Sequence, residues 1–210
     1  LIMAPHVLKR ADFKSGHTAA IDTTKCSACG LCLDLCRFNA INGDFRVNPL
    51  DCEGCGVCVY FCPEKAIDFP ENTCGEWFIS DTRFGPLVHA RLGIAEENSG
   101  KLVTLVRQES KKLTDEKSLD LILTDGPPGV GCPVIASIGG ASAVMIVTEP
   151  SLSGIHDMQR VVELADHFKV PAMVCVNKFD LNPSLTADIE AFTKEEGLTF
   201  LGRIPFDPIF

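Results

Sequence analysis

Eight of the eleven cysteines fall in two runs with one spacing. CSACGLCLDLC (residues 26–36) and CEGCGVCVYFC (residues 52–62) both read C-x-x-C-G-x-C-x-x-x-C, offset by 26 residues. Three thiolates this close in sequence can wrap one face of a four-iron cubane, and a fourth from the other run locks the two halves together. The implied ligand sets are Cys26, Cys29, Cys32 and Cys62 for one [4Fe-4S] cluster, and Cys52, Cys55, Cys58 and Cys36 for the other. Gly30 and Gly56 let the backbone turn tightly there and bring N–H groups towards the cluster sulfurs. Zinc is the competing reading. It takes four ligands per site, usually from two C-x-x-C knuckles, and needs neither the third cysteine of each run nor the fourth. The spacing therefore predicts two [4Fe-4S] clusters.

A second candidate chemistry lies further on. LDLILTDGPPGVG (residues 119–131) reads as a buried strand running into a Gly/Pro turn, with Asp125 at the strand end and Gly126, Pro127, Pro128 and Gly129 behind it. Such an Asp can hold a Mg²⁺-bound water, and the Gly129 N–H can meet a γ-phosphate oxygen across a proline-stiffened turn. An ordinary turn of an α/β protein has the same composition. Asn177, Lys178 and Asp180, in NKFD, follow another strand. An N-K-x-D turn reads guanine through its Asp, while a strand-end Asn serves adenine equally well. Pro205 in RIPFDP is placed to flank a base plane, although a loop proline needs no such role. These signals lack the phosphate-cradling loop G-x-x-x-x-G-K-S/T they would work beside. The one Gly-Lys pair, Gly100-Lys101, has the wrong glycine spacing and Leu102 where the magnesium-binding hydroxyl belongs.

The surrounding elements divide the chain at the sequence level into three. Residues 1–24 lack periodicity and read as an irregular connection. Residues 25–69 form a small module like a bacterial ferredoxin, whose clusters must serve as its core because so few apolar residues surround them. Each run is followed by a small-apolar pair, Ala40-Ile41 and Ala66-Ile67. Residues 70–210 change pattern: EWFIS, LDLILTD, SAVMIVTE, VPAMVCVN and TFLGRIP read as short buried strands. Between them, GKLVTLVRQESKK, SGIHDMQRVVELADHF with a Ser153 cap, and SLTADIEAFTKEEG ending at Gly197 read as helices. This alternation implies an α/β fold with a mostly parallel, doubly wound sheet, whose ligands sit at the C-terminal strand ends. Asp125, Thr148-Glu149 and Asn177-Lys178 stand at those ends.

Taken together, the two cysteine runs, RFGPLVHARLGIAEENSGKLV, DGPPGVGCPVIASI, VTEPSLSGIHD, VNKFDLN and LGRIPFDP resemble the MinD/ParA-like (deviant Walker A) P-loop ATPases that carry an inserted two-cluster ferredoxin domain, relatives of the nitrogenase iron protein. The resemblance implies a P-loop NTPase-like sheet, incomplete at its N-terminal side, with the ferredoxin-like α+β domain inserted into it. It implies ATP and Mg²⁺ as ligands, Asp125 to Gly129 as the γ-phosphate switch, Asn177 at adenine with Pro205 nearby, and a dimer, with itself or a related ATPase. Hydrolysis would be coupled to electron transfer or metallocluster maturation, with a redox partner or a metalloprotein client. In that family a K-G-G-x-G-K-T loop lies upstream of the insertion. A βαβ unit needs roughly 30 residues, so the expectation is that this loop precedes Leu1 or has been lost, and whether the chain is an enzyme turns on it. The alternatives are an electron-transfer or docking module without hydrolysis and an iron–sulfur cluster carrier.

Bulk properties narrow the classes. A net charge of −9 argues against a nucleic-acid or anionic-membrane surface. Apolar residues make up 46% and charged residues 22%, ordinary for a soluble globular protein, and no run is long enough to span a membrane. Clustered C-x-x-C spacing without a secretory signal points to a reducing, cytoplasmic setting. Of the remaining cysteines, Cys175 reads as core and Cys74 has no obvious place. Cys132 is either a small apolar helix-start residue or, as in the nitrogenase iron protein, a metal ligand at a subunit interface. His89, His156 and His167 read as surface or helix-cap residues.

Overall fold

The structure, a computed structural model, describes residues 3–93 and 100–208. The chain divides into two compact units, Leu1–Asn98 and Ser99–Phe210.

In the first unit the cysteine module folds as two copies of one half. Each run turns at its glycine, Gly30 (φ 83°) or Gly56 (φ 71°), into a five-residue helix, α1 (Leu31–Leu35) or α2 (Val57–Phe61). These left-handed backbones confirm the turning role expected of the two glycines. Each helix ends at the fourth cysteine, Cys36 or Cys62, in extended conformation. The small-apolar pairs then bury: Ala40 and Ile41, Ala66 and Ile67. Two-residue strands β2 (Ala20–Ile21) and β3 (Ile67–Asp68) pair antiparallel, placing Ile21 against Ile67, and an isolated bridge joins Ile41 to Val47. The repeat offset turns Ile21 into Val47 and Ile41 into Ile67, so these are one contact made twice. The same holds for the backbone bonds Asp22 N–H to Ala66 O and Asn48 N–H to Ala40 O, both 2.7 Å. It holds again for the turns in which Asp22 Oδ1 accepts from Thr24 N–H (3.0 Å) and Asn48 Oδ1 from Leu50 N–H (3.1 Å). Each such turn sits four residues ahead of a run's first cysteine. The half-repeat thus starts near residue 20, inside the segment expected to be an irregular connection.

The rest of that segment is also ordered. Strand β1 (His6–His17) pairs antiparallel with β4 (Glu71–Thr82), which pairs with β5 (Gly85–Leu92) through a tight turn at Arg83-Phe84. The three make a sheet of order β1-β4-β5. EWFIS is therefore a strand, as expected, but it lies in an antiparallel sheet of the first unit, beside the cysteine module. β1 has no clean alternation because one face is half open: only Phe13 of its residues is buried, so the period-2 signal never builds. β4 brings in Cys74, Trp77, Phe78 and Ser80, all buried. Cys74 gains the core place the sequence had not shown, its thiol donating to Ser15 O at 2.8 Å.

The second unit holds a parallel sheet of order β6-β7-β8 (Val144–Thr148, Ala172–Asn177, Thr199–Ile204). Helix α5 (Leu152–His167) connects the first pair and α6 (Pro183–Glu195) the second. Both connections step the same way across the sheet, and both helices share one core. There Ile146, Val174 and Val176 meet Met158 and Val162 of α5 and Ile189 of α6. Val174, Val176 and Ile189 have no exposed surface. The cap of α5 is Ser151, accepting from Gly154 N–H at 3.0 Å, and the expected capping residue, Ser153, lies within the helix. α6 starts on Asn182, which accepts from Leu185 N–H at 3.1 Å, and its exit reaches the left-handed Gly197 as expected.

α3 (Gly100–Lys117) packs on α4 (Cys132–Ile138), and the Arg107 guanidinium donates to the carbonyls of Ala136 and Gly139, both at 2.5 Å, at the C-terminal end of α4. This places a cation on orphan carbonyls at the negative end of the helix. The LDLILTD segment departs from expectation. Residues 119–125 are not in a strand, and among the described residues none pairs with them. Leu121 and Leu123 are 77% and 86% exposed. An apolar run becomes a strand only where a neighbour takes its N–H and C=O groups. The architecture is thus mixed α/β, with one parallel and two antiparallel sheets, and shows a single shared helix layer on the parallel sheet. No helix among the described residues is long and apolar enough to cross a membrane.

Candidate functional site

The first unit contains a cavity lined by Cys26, Cys29, Cys32 and Cys62, with Ile21, Leu31 and Ile67 among its apolar walls. These four cysteines are the set the spacing assigned to one cluster, and the fold brings them together because Cys62 ends α2 where the two halves meet. Cys62 Sγ also accepts from Ala66 N–H at 3.4 Å, the kind of N–H···S contact that steadies a ligating thiolate. Burial pushes the Cys32 and Cys58 thiols above the usual range, and neighbouring cysteines of each run add to the rise. Cys32 adds a small further rise at Cys58. A thiolate in such surroundings needs a compensating cation, which bound iron supplies.

Among the described residues no three His, Cys, Asp or Glu side chains converge closely enough to share a single ion. Four thiolates lining one cavity suit a cubane, in which each thiolate binds a different iron. The donor set therefore fits a [4Fe-4S] cluster in its first site, and the second run repeats that local backbone.

Comparison with known proteins agrees with this geometry. The family described as "4Fe-4S binding domain" matches the chain twice, over residues 19–42 and 45–68. This segment binds iron–sulfur clusters. Each match starts ahead of its cysteine run, at the half-repeat boundary set by Asp22 and Asn48. An uncharacterized protein of Methanocaldococcus jannaschii is 37% identical over 157 residues, covering 75% of this chain and 55% of the relative. A second from the same organism is 25% identical over 116 residues, covering 55% of this chain and 42% of the relative. An iron-sulfur cluster carrier protein of Pyrococcus horikoshii is 29% identical over 104 residues, covering 43% of this chain and 35% of the relative. The chain spans about half the length of the first two relatives.

The nucleotide candidates lie in the second unit and are only partly gathered. Asn177 and Ile204 are register partners at the C-terminal ends of β7 and β8, which sets Pro205 beside the NKFD turn. Lys178 takes a left-handed backbone (φ 53°), and its ammonium pairs with Glu149 at 2.6 Å, joining the ends of β6 and β7. Asp180 Oδ1 accepts from Phe206 N–H at 2.7 Å, tying the turn to the segment after β8. Both GTPase-like residues thus hold strand ends together, and one Asp180 oxygen is already committed to backbone. Asp125 and Gly126 are exposed on the segment ahead of α4, with Pro127 and Gly129 half-buried.

The other cysteines and histidines resolve individually. Cys175 is buried in β7, as expected, and Cys132 is exposed at the first position of α4. His156 and His167 are exposed on α5. His89 departs from the surface reading. It sits half-buried on β5, its Nε2 2.9 Å from Ser80 Oγ and its ring stacked on Phe78 at 5.0 Å, and burial holds its pKa below the usual value. Its register partner is Phe78, on the neighbouring strand β4, so the inward setting comes from a pairing that the local sequence does not show.

Proposed function

We propose that the protein is an iron–sulfur ATPase of the MinD/ParA type, in which nucleotide state is coupled to electron transfer or to metallocluster maturation. The cavity ringed by Cys26, Cys29, Cys32 and Cys62 carries the iron–sulfur half of this reading. When bound, the clusters supply one-electron chemistry. The chain's own part is to hold them. Six thiolates come from the two loops, and Cys36 and Cys62 each cross to the other half.

The nucleotide half rests on the parallel sheet and on the residues at its strand ends. Asn177 would meet adenine, with Pro205 along one side of the base. The use of Asp180 by Phe206 N–H favours adenine over guanine. Asp125 would orient a Mg²⁺-bound water and Gly129 would present its N–H to the γ-phosphate. The apolar segment 119–125, with Leu121 and Leu123 exposed, suits pairing with a further strand, such as one leading into a phosphate-cradling loop supplied from outside these residues. A homodimer, or a heterodimer with a related ATPase, would complete the site, and a redox protein or metalloprotein client would receive the output in a reducing, cytoplasmic setting.

Cluster carriage is the second reading, favoured by the similarity to the iron-sulfur cluster carrier protein of Pyrococcus horikoshii. The product of the native gene, purified anaerobically, separates the two. MgATP hydrolysis abolished by Asp125→Asn, with clusters retained in the presence of an apo-acceptor, supports the coupled ATPase. Cluster transfer to the acceptor supports carriage. Full hydrolysis by Asp125→Asn removes the proposed switch.

A further inference from the structure

The two halves of the cysteine module are copies, but their loops are not held alike. In the second half the loop carrying Cys52, Cys55 and Cys58 is pressed from outside at two residues. Gly54 (φ 62°) lies so close to the end of β1 that an added Cβ would collide with the His17 carbonyl oxygen and meet its carbonyl carbon at 3.4 Å. Gly56 lies under Phe69, whose Cε1 a Cβ would meet at 3.3 Å. His17 and Phe69 stack on each other, centroids 4.8 Å apart, and Thr18 N–H donates to Pro70 O at 3.2 Å where β1 and β4 come together.

Applying the repeat offset shows what the first half has instead. Gly54 corresponds to Ala28, which takes the same left-handed backbone (φ 55°), and Gly56 corresponds to Gly30. Phe69 corresponds to Gly43, which has no ring to offer. A Cβ at Gly30 or at Gly43 would meet no atom within 4 Å. The first site has apolar walls of its own, Leu31 and Phe45 among them. What it lacks is a contact on the outer side of its loop at Gly30. Each loop carries three of its cluster's four thiolates, so a cluster can leave only when that loop opens, and an outer clamp raises the cost of local opening.

We propose that the His17–Phe69 pair clamps the Cys52–Cys58 loop and makes the two cluster sites inequivalent. The cluster of Cys26, Cys29, Cys32 and Cys62 is the one that gives up its iron first. His17 and Phe69 are positioning residues, acting through Gly54 and Gly56. The inference rests on the two-cluster reading. The test is anaerobic iron release from the native-gene product to a ferrous chelator, followed by absorbance. The wild type is expected to carry about eight irons and to release them in two equal phases. Cys26→Ala should remove the fast phase only. Phe69→Ala should speed the slow phase until the two merge, and His17→Ala should do so in part, while His17→Phe, which keeps the stack, restores two phases.

A single phase in the wild type overturns the clamp, as does a slow phase unchanged in both Phe69→Ala and His17→Ala. If Phe69→Ala fails to fold, the His17 pair decides alone. A wild type carrying no more than about four irons instead overturns the two-cluster reading beneath it.

Discussion

Cross-ligation between the halves can be tested by counting iron in double variants. Cys62 ends the second run in sequence but lines the cavity of the first. If it serves that cluster, Cys62→Ala and Cys26→Ala each remove a ligand from the same cubane, and the second substitution has nothing further to remove. Each single variant then falls from about eight irons to about four, and the double variant also stays near four. Joining Cys62→Ala to Cys55→Ala instead strikes both clusters and leaves about zero. Ligation within the run reverses the pattern: Cys26 with Cys62 would leave about zero and Cys55 with Cys62 about four. The inter-half pairs Ile21 with Ile67 and Ile41 with Val47 do not run through any cysteine side chain, so one half can keep its loop when the other loses its metal. The assay is iron and acid-labile sulfide per chain after anaerobic purification, with electron paramagnetic resonance of the reduced protein to count the surviving cluster. The logic is that of a double-mutant cycle, in which groups acting as one unit are non-additive. A Cys26, Cys62 double variant with clearly less iron than either single would refute cross-ligation.

Other perturbations probe the scaffold. Ile189→Ala removes a side chain with no exposed surface from between β7 and α6 and should lower stability by about 2–5 kcal/mol in denaturant unfolding; a loss below about 1 kcal/mol would mean the core there is loose. Ser151→Ala should cost about 0.5–2 kcal/mol by unmaking the cap on Gly154 N–H, whereas Ser153→Ala, at the position expected to cap, should cost less; equal losses would argue against the assigned cap. His89, held below the usual histidine pKa by burial, should be less than half-protonated in an NMR titration at about pH 6.5, where an ordinary histidine is half-protonated. Its contribution to stability is full above that unfolded value and is lost as pH falls through the lower folded pKa. A midpoint at or above the ordinary value would place the ring in water.

The iron–sulfur module was legible in the sequence because cluster spacing is a local property: each run holds four cysteines at one spacing, and the second run repeats the first. β6, β7 and β8 were legible from their short apolar runs, although only β7 is largely buried: β8 is exposed along most of its length, as are Met145 and Val147 of β6. β1 was not. A strand half open on one face shows no clear period, and its partner β4 lies more than fifty residues further along. LDLILTD fails in the opposite direction. Its composition is that of a strand, yet strand structure needs hydrogen bonds from a neighbour, and no described residue provides them.

The sequence by itself thus determined the two cysteine runs with their iron–sulfur spacing and most of the helices and strands around the second unit's core, because residue spacing and apolar period are written along the chain. Only the tertiary structure decided that Lys178 and Asp180 are spent on Glu149 and Phe206, that His89 faces Ser80, and that a backbone carbonyl of β1 and a ring beside β4 press on one cluster loop and leave the other open. Those outcomes depend on residues far apart in sequence arriving at one point, and no local pattern encodes that arrival.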